Sequence, residues 1–133
     1  DAEREDQRFD HVLAAVDALA WEIDGASYTV IAVSRAAEAF TGQREVDLLG
    51  RPALLALIHP DERARMEAVC CDLAIGQQAR IDHRFVRNDG TERWVRSSVV
   101  GTSGPRGSRT VSGVSVDITD VHEELARLRR RFS

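Results

Sequence analysis

The sequence predicts an α+β domain, a five-stranded antiparallel sheet with short helices and one longer helix on one face. Three observations lead to this prediction. Two stretches rich in strand-forming residues flank Asn88-Asp89-Gly90, which is the composition of a β-hairpin, and a third strand-like stretch follows. Two shorter strand-like runs precede them, and several helical patterns lie between the two groups. Amphipathic patterns at both ends of the chain add flanking helices.

Length and composition indicate one ordinary globular domain. The chain has 133 residues, of which 43% are hydrophobic and 30% charged, and no apolar run approaches the ~20 residues that span a bilayer. The net charge of -4 argues against nucleic-acid binding. Without a signal peptide or paired cysteines, we expect a cytoplasmic protein with no integral membrane segment. Because the chain begins at Asp1 rather than Met, we expect a segment of a longer polypeptide.

The first elements follow from local patterns. Apolar residues at helical spacing predict an N-terminal amphipathic helix that covers an apolar surface through Phe9, Val12, Leu13 and Val16. Residues 20–23 and 28–33 read as two short strands, and the turn-rich residues 24–27 between them predict a hairpin.

Helix-capping residues, glycines and prolines divide the middle of the chain into short helices and one longer helix. Ser34 is a candidate N-cap for a helical turn that ends at Gly42, and a second short helix ends at Gly50. Pro52 opens a third, and Pro60 begins the longest, with acidic residues in its first turn where they complement the helix dipole. The apolar stripe of the longest helix is Met66, Val69, Cys70 and Leu73.

The turn of the long hairpin decides which side chains point inward. A two-residue Asp89-Gly90 turn would place Phe85 on the face of Trp94, whereas a three-residue loop with Gly90 in the left-handed conformation places Phe85 on the face of Val95. We favour the three-residue loop because it separates apolar from charged residues better. It points Ile81, His83, Phe85, Val95, Ser97 and Val99 inward and Asp82, Arg84, Trp94 and Arg96 outward.

The last strand and the C-terminal helix complete the chain. A Gly-, Ser- and Pro-containing loop over residues 101–108 leads to a strand over residues 110–118. From Thr119 the pattern is helical, with apolar residues spaced 4-3-4 as in a coiled-coil seam, at Val121, Leu125, Leu128 and Phe132. The arginines at the end of this helix place positive charge near its C-terminus, where it interacts favourably with the helix dipole. We therefore interpret them as structural rather than as a nucleic-acid or lipid site.

Five short motifs occur in one order over residues 19–119. They are Phe40-Thr41-Gly42, Leu49-Gly50, His59-Pro60-Asp61-Glu62-Arg63, the hairpin from Arg84 through Asp89-Gly90 to Arg93-Trp94-Val95, and Gly113-Val114-Ser115-Val116-Asp117-Ile118-Thr119. This set resembles the PAS domain, the sensory and dimerisation module of signalling proteins. The resemblance implies a flanking helix over residues 1–18, a PAS domain over 19–119 and a linker helix over 120–133 that leads to an output domain.

The same resemblance allows cofactors to be tested by residue. Flavin-binding light-oxygen-voltage members carry Gly-x-Asn-Cys-Arg-Phe-Leu-Gln and a Gln in the last strand, whereas this chain has Gly50-Arg51-Pro52-Ala53-Leu54 and Ser115. Haem-binding members place a His on the long helix, and residues 61–75 contain none. The sequence therefore argues against flavin and haem. Catalytic and metal-binding motifs are also missing, so we expect no enzymatic activity.

A PAS fold would enclose a cavity between the helices and the inner face of the sheet. The lining is expected to be apolar with a few polar points, which suits a largely apolar or lipid-like small molecule. Alternatively, the same side chains fill the space and the domain works by protein contacts and dimerisation alone. The residues expected at this site are Phe40, Leu54, Leu57, Ile58, Met66, Val69, Cys70, Ile81, His83, Phe85, Val95, Ser97, Val99 and Ser115.

Two further hypotheses concern output and redox chemistry. The resemblance implies that Asp117, Ile118 and Thr119 relay the signal from the sheet to the C-terminal helix. The apolar faces of both flanking helices predict a homodimer. The residues expected at this interface are Phe9, Val12, Leu13, Val16, Trp94, Val114, Val116, Val121, Leu125 and Leu128. A thiol redox sensor at Cys70 and Cys71 stays open as an alternative, although a Cys on an apolar stripe usually serves as a small hydrophobe.

Overall fold

The computed structural model describes residues 17–132 and contains one antiparallel sheet with helices packed on its inner face. The sheet order is β2-β1-β5-β4-β3. The strands are β1 (Ala18–Asp24), β2 (Val30–Val33), β3 (Gln78–Val86), β4 (Glu92–Ser103) and β5 (Arg109–Asp117). The helices are α1 (Ala37–Thr41), α2 (Glu45–Leu48), α3 (Ala53–Leu57), α4 (Pro60–Asp72) and α5 (Thr119–Arg131). The predicted fold class is confirmed.

The long hairpin closes through the three-residue loop that the sequence favours. Arg87 donates its backbone N–H to the Thr91 carbonyl at 2.9 Å, and Gly90 has a φ of +87°, a left-handed conformation that Gly adopts without strain. In the resulting register His83 pairs with Val95, and Arg84 pairs with Trp94. The inward residues of β3 and β4 that the sequence predicts are all buried, so the predicted faces are confirmed.

Three local expectations are wrong. The Ser34 hydroxyl does not cap α1, because it accepts the Ala20 N–H at 3.1 Å beside the β1–β2 pairing. β1 begins at Ala18 rather than at residue 20. Residue 101 lies within β4 rather than in a loop, and a Cβ on Gly101 would lie 2.3 Å from the Ala74 carbonyl oxygen. This glycine therefore permits a close backbone approach rather than a turn.

The N-terminus of α4 covers the free edge of β3. His59 caps the helix, because its Nδ1 accepts the Asp61 N–H at 3.1 Å. The Glu62 carboxylate accepts both the backbone N–H and the guanidinium of Arg84. Burial opposes ionisation of Glu62, but these hydrogen bonds outweigh it and lower the pKa of that carboxyl. The Arg84 N–H on this edge, which could otherwise pair with another chain, is thus satisfied by α4.

The other end of α4 is held by Arg109. Its guanidinium donates to the Cys70 carbonyl at 2.8 Å and the Leu73 carbonyl at 3.2 Å, which are acceptors at the end of the helix. The same side chain donates to the Gly25 carbonyl at 2.6 Å, in the turn between β1 and β2. Arg109 therefore joins α4 to that turn.

The predicted N-terminal helix lies outside the described residues, and so do Phe9, Val12, Leu13 and Val16. Within residues 17–132, no helix is long and apolar enough to cross a bilayer.

Candidate functional site: an internal cavity and its link to the C-terminal helix

A cavity of about 50 Å³ lies between α3, α4 and the inner face of the sheet. Its volume is well below the roughly 300–1,000 Å³ of pockets that take drug-sized ligands. The structure brings eight of the fourteen predicted residues together around it. They are Leu54, Ile58, Met66, Cys70, His83, Phe85, Ser97 and Ser115.

The other six predicted residues are absent from the lining. Three of them, Phe40, Leu57 and Val95, belong to a second core cluster in which the Phe40 and Phe85 rings meet edge to face with centroids 5.6 Å apart. Ile81 and Val99 are part of the main core, and Val69 packs at its margin. These side chains point inward but fill space instead of surrounding it, because tight packing leaves few gaps in a core.

Six lining residues were missed by the sequence reasoning. Leu19, Trp21 and Ile23 lie on the inner face of β1, while Tyr28, Leu55 and Glu67 complete the wall and rim. The alternation of Leu19, Trp21 and Ile23 is a period-two signal that could have placed them on one face. Reading β1 as shorter than it is hid that signal.

A continuous hydrogen-bonded chain crosses the sheet wall of the cavity. The Trp21 indole donates its Nε1–H to the Ser115 Oγ at 2.8 Å. The Ser115 Oγ lies 2.8 Å from the Ser97 Oγ, which lies 2.8 Å from the His83 Nε2. At the far end the His83 Nδ1 lies 3.2 Å from the Arg84 carbonyl oxygen. Four strands thus contribute to one polar line in an otherwise apolar cavity.

Burial controls the ionisation of His83 on this wall and of Cys70 on the facing helix α4. Desolvation lowers the pKa of His83 below its ordinary value of 6.5, against the opposing effect of its bond to the Arg84 backbone, so the imidazole is neutral at pH 7. Desolvation likewise raises the pKa of the Cys70 thiol, with Arg109 opposing it. Both groups are therefore uncharged in the folded protein at neutral pH.

Tyr28 lies at the rim of the cavity in an unusual backbone conformation. Its φ is +61°, which is uncommon for a bulky residue, and the Asp24 carboxylate holds the turn by accepting the N–H groups of Ala26 and Ser27. The Tyr28 hydroxyl approaches the Glu67 carbonyl at 3.5 Å. The ring thereby spans from the β1–β2 turn to α4.

The junction between β5 and α5 is fastened to Trp94 on β4. Ile118 donates its N–H to the Trp94 carbonyl at 2.8 Å, and the Thr119 hydroxyl accepts the Trp94 N–H at 3.0 Å. Asp117 accepts the Thr119 N–H at 2.9 Å and pairs with Arg93 at 2.8 Å. Burial raises the pKa of Asp117, but these hydrogen bonds outweigh it and the net pKa is lowered. The three residues predicted as a relay thus form one connected joint.

The Trp94 side chain also holds α5. Its indole stacks on the His122 imidazole, with centroids 4.0 Å apart and planes inclined by 12°, and the Arg84 guanidinium lies 5.9 Å from the indole centroid. This stacking leaves His122 half-buried. Trp94 therefore binds the first turn of α5 with both its backbone and its ring.

The predicted interface residues fall into two groups. On the outer face of the sheet, Val114 is exposed and Val116 half-buried, while Trp94 is covered by His122. On α5 the seam faces away from the domain, with Val121, Leu125, Leu128 and Phe132 exposed by 60%, 48%, 38% and 80%.

Metal chemistry has no evident location in the described part of the chain. Among residues 17–132, no three His, Cys, Asp or Glu side chains cluster so that they could hold a metal ion.

Comparisons with known proteins point to one family. The family model described as the PAS fold matches residues 30–115. Comparison with curated proteins gives no significant match.

Solved structures with a similar fold come from signalling proteins. The PAS domain of an HTR-like protein from Haloarcula marismortui has a TM-score of 0.70 at 16% identity, covering 88% of this chain and 94% of that one. A sensory box histidine kinase/response regulator from Burkholderia thailandensis has a TM-score of 0.70 at 22% identity, covering 93% of this chain and 94% of that one. The N-terminal domain of a diguanylate cyclase with a PAS/PAC sensor from Marinobacter aquaeolei has a TM-score of 0.66 at 20% identity, covering 79% of this chain and 98% of that one.

At these identities the structures show a shared fold, while the family model matches more than half of the sequence. The five-stranded antiparallel sheet and the helices on its inner face agree with that match. This chain belongs to the PAS fold family.

Proposed function

We propose that this chain is the sensory module of a larger signalling protein, and that occupancy of its internal cavity is read out by α5, which leads to a covalently linked output domain. PAS domains are sensory modules and are generally non-catalytic. Two of the similar structures come from a histidine kinase/response regulator and a diguanylate cyclase, which supports a role in signalling.

The observation that carries this proposal is the position of Trp94 on β4. Ser97, on the same strand, lines the cavity, and Val95 is buried on that inner face. Trp94 points to the opposite face, where it holds α5. Because neighbouring residues of a strand point to opposite faces, a displacement of β4 from the cavity side moves Trp94 and its contacts with α5.

A cavity-filling variant tests this link without any ligand. Cys70→Leu places a larger apolar side chain on the cavity wall and imitates an occupied state. We expect backbone hydrogen exchange in residues 119–131 to change severalfold, measured by mass spectrometry. Leu73→Met is the control, because Leu73 is buried on the same helix side but does not line the cavity. Unchanged exchange in α5 of a folded Cys70→Leu protein would refute the proposed coupling.

The size of the cavity narrows the expected ligand. A cavity of about 50 Å³ is far smaller than the pockets that take drug-sized ligands, so it suits a molecule of a few non-hydrogen atoms. We therefore propose a compact ligand in place of the lipid-like molecule expected from the sequence.

We also propose that α5 pairs with α5 of a second copy. Its apolar side chains recur at 4-3-4 spacing on one face, and that face is exposed. Light scattering at several protein concentrations tests this. Leu125→Gln is expected to lower the measured mass towards the monomer, while Glu124→Gln, on the neighbouring position, leaves it unchanged. A monomeric wild type would end the proposal.

No specific observation favours the redox alternative. A sensor thiol needs a lowered pKa and access to oxidant, whereas burial raises the pKa of Cys70. Cys71 is exposed but lies outside the cavity lining. We therefore do not propose a redox function.

A further inference from the structure

We infer that the cavity selects a compact, mostly apolar ligand that donates a hydrogen bond, such as a small alcohol, because the polar wall retains accepting oxygens but no hydrogen to donate. The inference concerns the cavity of the proposed function and rests on it. It follows from the direction of the hydrogen bonds between Trp21 and Arg84, which the His83 end of the series determines and the Trp21 end is compatible with.

The His83 end sets the direction from one side. A backbone carbonyl only accepts, so the His83 Nδ1, which lies 3.2 Å from the Arg84 carbonyl oxygen, must carry a hydrogen. In the neutral imidazole the Nε2 then has none and can only accept. The Ser97 hydroxyl, 2.8 Å away, therefore donates its single hydrogen to the His83 Nε2.

The Trp21 end is compatible with this direction. An indole N–H only donates, so the Ser115 Oγ accepts from Trp21 at 2.8 Å. Because the Ser97 hydrogen is already used by His83, the 2.8 Å contact between the two hydroxyls requires Ser115 to donate to Ser97. Every polar hydrogen in this series of hydrogen bonds is thus donated to another group of the wall.

What remains on the wall is accepting capacity. A hydroxyl oxygen has two lone pairs, and Ser97 and Ser115 each accept one bond, so each has one lone pair free beside the cavity. Elsewhere in the lining, the Tyr28 hydroxyl is directed to the Glu67 carbonyl, and the Cys70 thiol is only a weak donor. A ligand with a hydroxyl satisfies the serine oxygens, whereas a ligand with only a carbonyl brings oxygen against oxygen.

A pair of probes of equal size tests the inference. 2-Propanol and acetone have the same number of non-hydrogen atoms, but only the alcohol donates a hydrogen bond. Each is titrated into the protein while the Trp21 indole and His83 imidazole resonances are followed by nitrogen-15 NMR. We expect saturable shifts and an affinity at least about tenfold higher for 2-propanol, the factor that one unmatched buried hydrogen bond produces. Equal affinities, tighter binding of acetone, or no binding of either probe would overturn the inference.

A variant of the protein is expected to weaken the preference for the alcohol. Ser115→Ala removes the acceptor of the Trp21 N–H, which lies on the cavity wall and becomes a free donor. The affinity ratio of 2-propanol to acetone is then expected to fall by about tenfold or more. Comparing the two probes within one variant cancels any change in cavity size. Ser98→Ala is the matched control, because Ser98 lies on the outer face of the same sheet and should leave the ratio unchanged.

The protonation state of His83 is a separate check on the direction. Nitrogen-15 shifts of the imidazole are expected to show a hydrogen on Nδ1 and none on Nε2 in the unliganded protein. A hydrogen on Nε2 would reverse the chain and overturn the inference. The imidazole shifts and the binding of the two probes test the ligand inference, whereas the Cys70→Leu hydrogen-exchange experiment tests the coupling of the cavity to α5. Failure of one can therefore be distinguished from failure of the other.

Discussion

Replacing Gly113 by Ala tests whether Trp21 is held against the sheet as described. Gly113 lies opposite Trp21 in the β1–β5 register, on the inner face. A Cβ at this position would lie 2.3 Å from the Trp21 Cζ2 and 2.7 Å from its Cε2. Carbon atoms in contact prefer roughly 3.5–4.0 Å, so the indole ring would have to move by about 1 Å or more.

The expected loss of stability follows from three effects. Moving the ring breaks its 2.8 Å hydrogen bond to Ser115, which is worth about 1 kcal/mol. Crowding in a packed core costs about 1–3 kcal/mol. Against these, replacing Gly by Ala within a strand gains roughly 0.5–1 kcal/mol. We therefore expect Gly113→Ala to lower the free energy of unfolding by about 1–3 kcal/mol.

Urea denaturation followed by far-UV circular dichroism measures this loss. Trp21→Phe supplies the matched background, because the smaller ring leaves room for the added methyl group. In a double-mutant cycle, Gly113→Ala should then be less destabilising in the Phe background, with a coupling above about 0.5 kcal/mol. A Gly113→Ala protein as stable as the wild type, or additive effects in the cycle, would refute the close contact.

Three further predictions concern groups around the cavity and α5. Because burial lowers the pKa of His83, the unfolded chain takes up a proton below pH 6.5 that the folded chain excludes, so the free energy of unfolding falls as the pH drops below 6.5. His83→Gln should reduce this slope by up to about 1.4 kcal/mol per pH unit in urea denaturation at several pH values, and an unchanged slope would contradict it. Arg109→Gln should destabilise the domain by about 1–3 kcal/mol in the same assay, because carbonyls of Cys70, Leu73 and Gly25 lose a charged donor; a neutral effect would refute that link. His122→Ala should speed hydrogen exchange in α5, since the ring pair is worth about 0.5–1.5 kcal/mol, while Glu123→Ala serves as the control; equal exchange in both would contradict docking by Trp94.

Local sequence patterns were sufficient for the hairpin and its faces. The turn residues limit the loop to two lengths, and the alternation of apolar and charged residues on β3 and β4 separates them, since a shift by one residue would move His83 and Phe85 to the outer face. The same kind of local signal placed the start of α4 at Pro60 and the start of α5 at Thr119. Such features depend on neighbours in sequence, and for that reason they can be read without coordinates.

Contacts between residues distant in sequence could not be predicted from local patterns. The bond of Ser34 to Ala20, the link from Arg109 to α4 and the stacking of His122 on Trp94 each join elements whose relative positions the sequence does not specify. In each case several residues could have served as the bonding or stacking partner of a long or polar side chain. The packing of the sheet brought one of them within reach.

Periodicity and turn geometry act locally, so they were enough to predict the fold class, the order of elements and which residues of the hairpin face inward. The position of the cavity follows from packing, since a gap depends on how far every inward side chain reaches. Packing moved the cavity towards β1, replaced Phe40 and Val95 by Leu19 and Trp21 in its wall, and joined Trp21 to His83 through two serines. The chemical preference inferred for the ligand rests on that one line of hydrogen bonds, which four separate strands have to bring together.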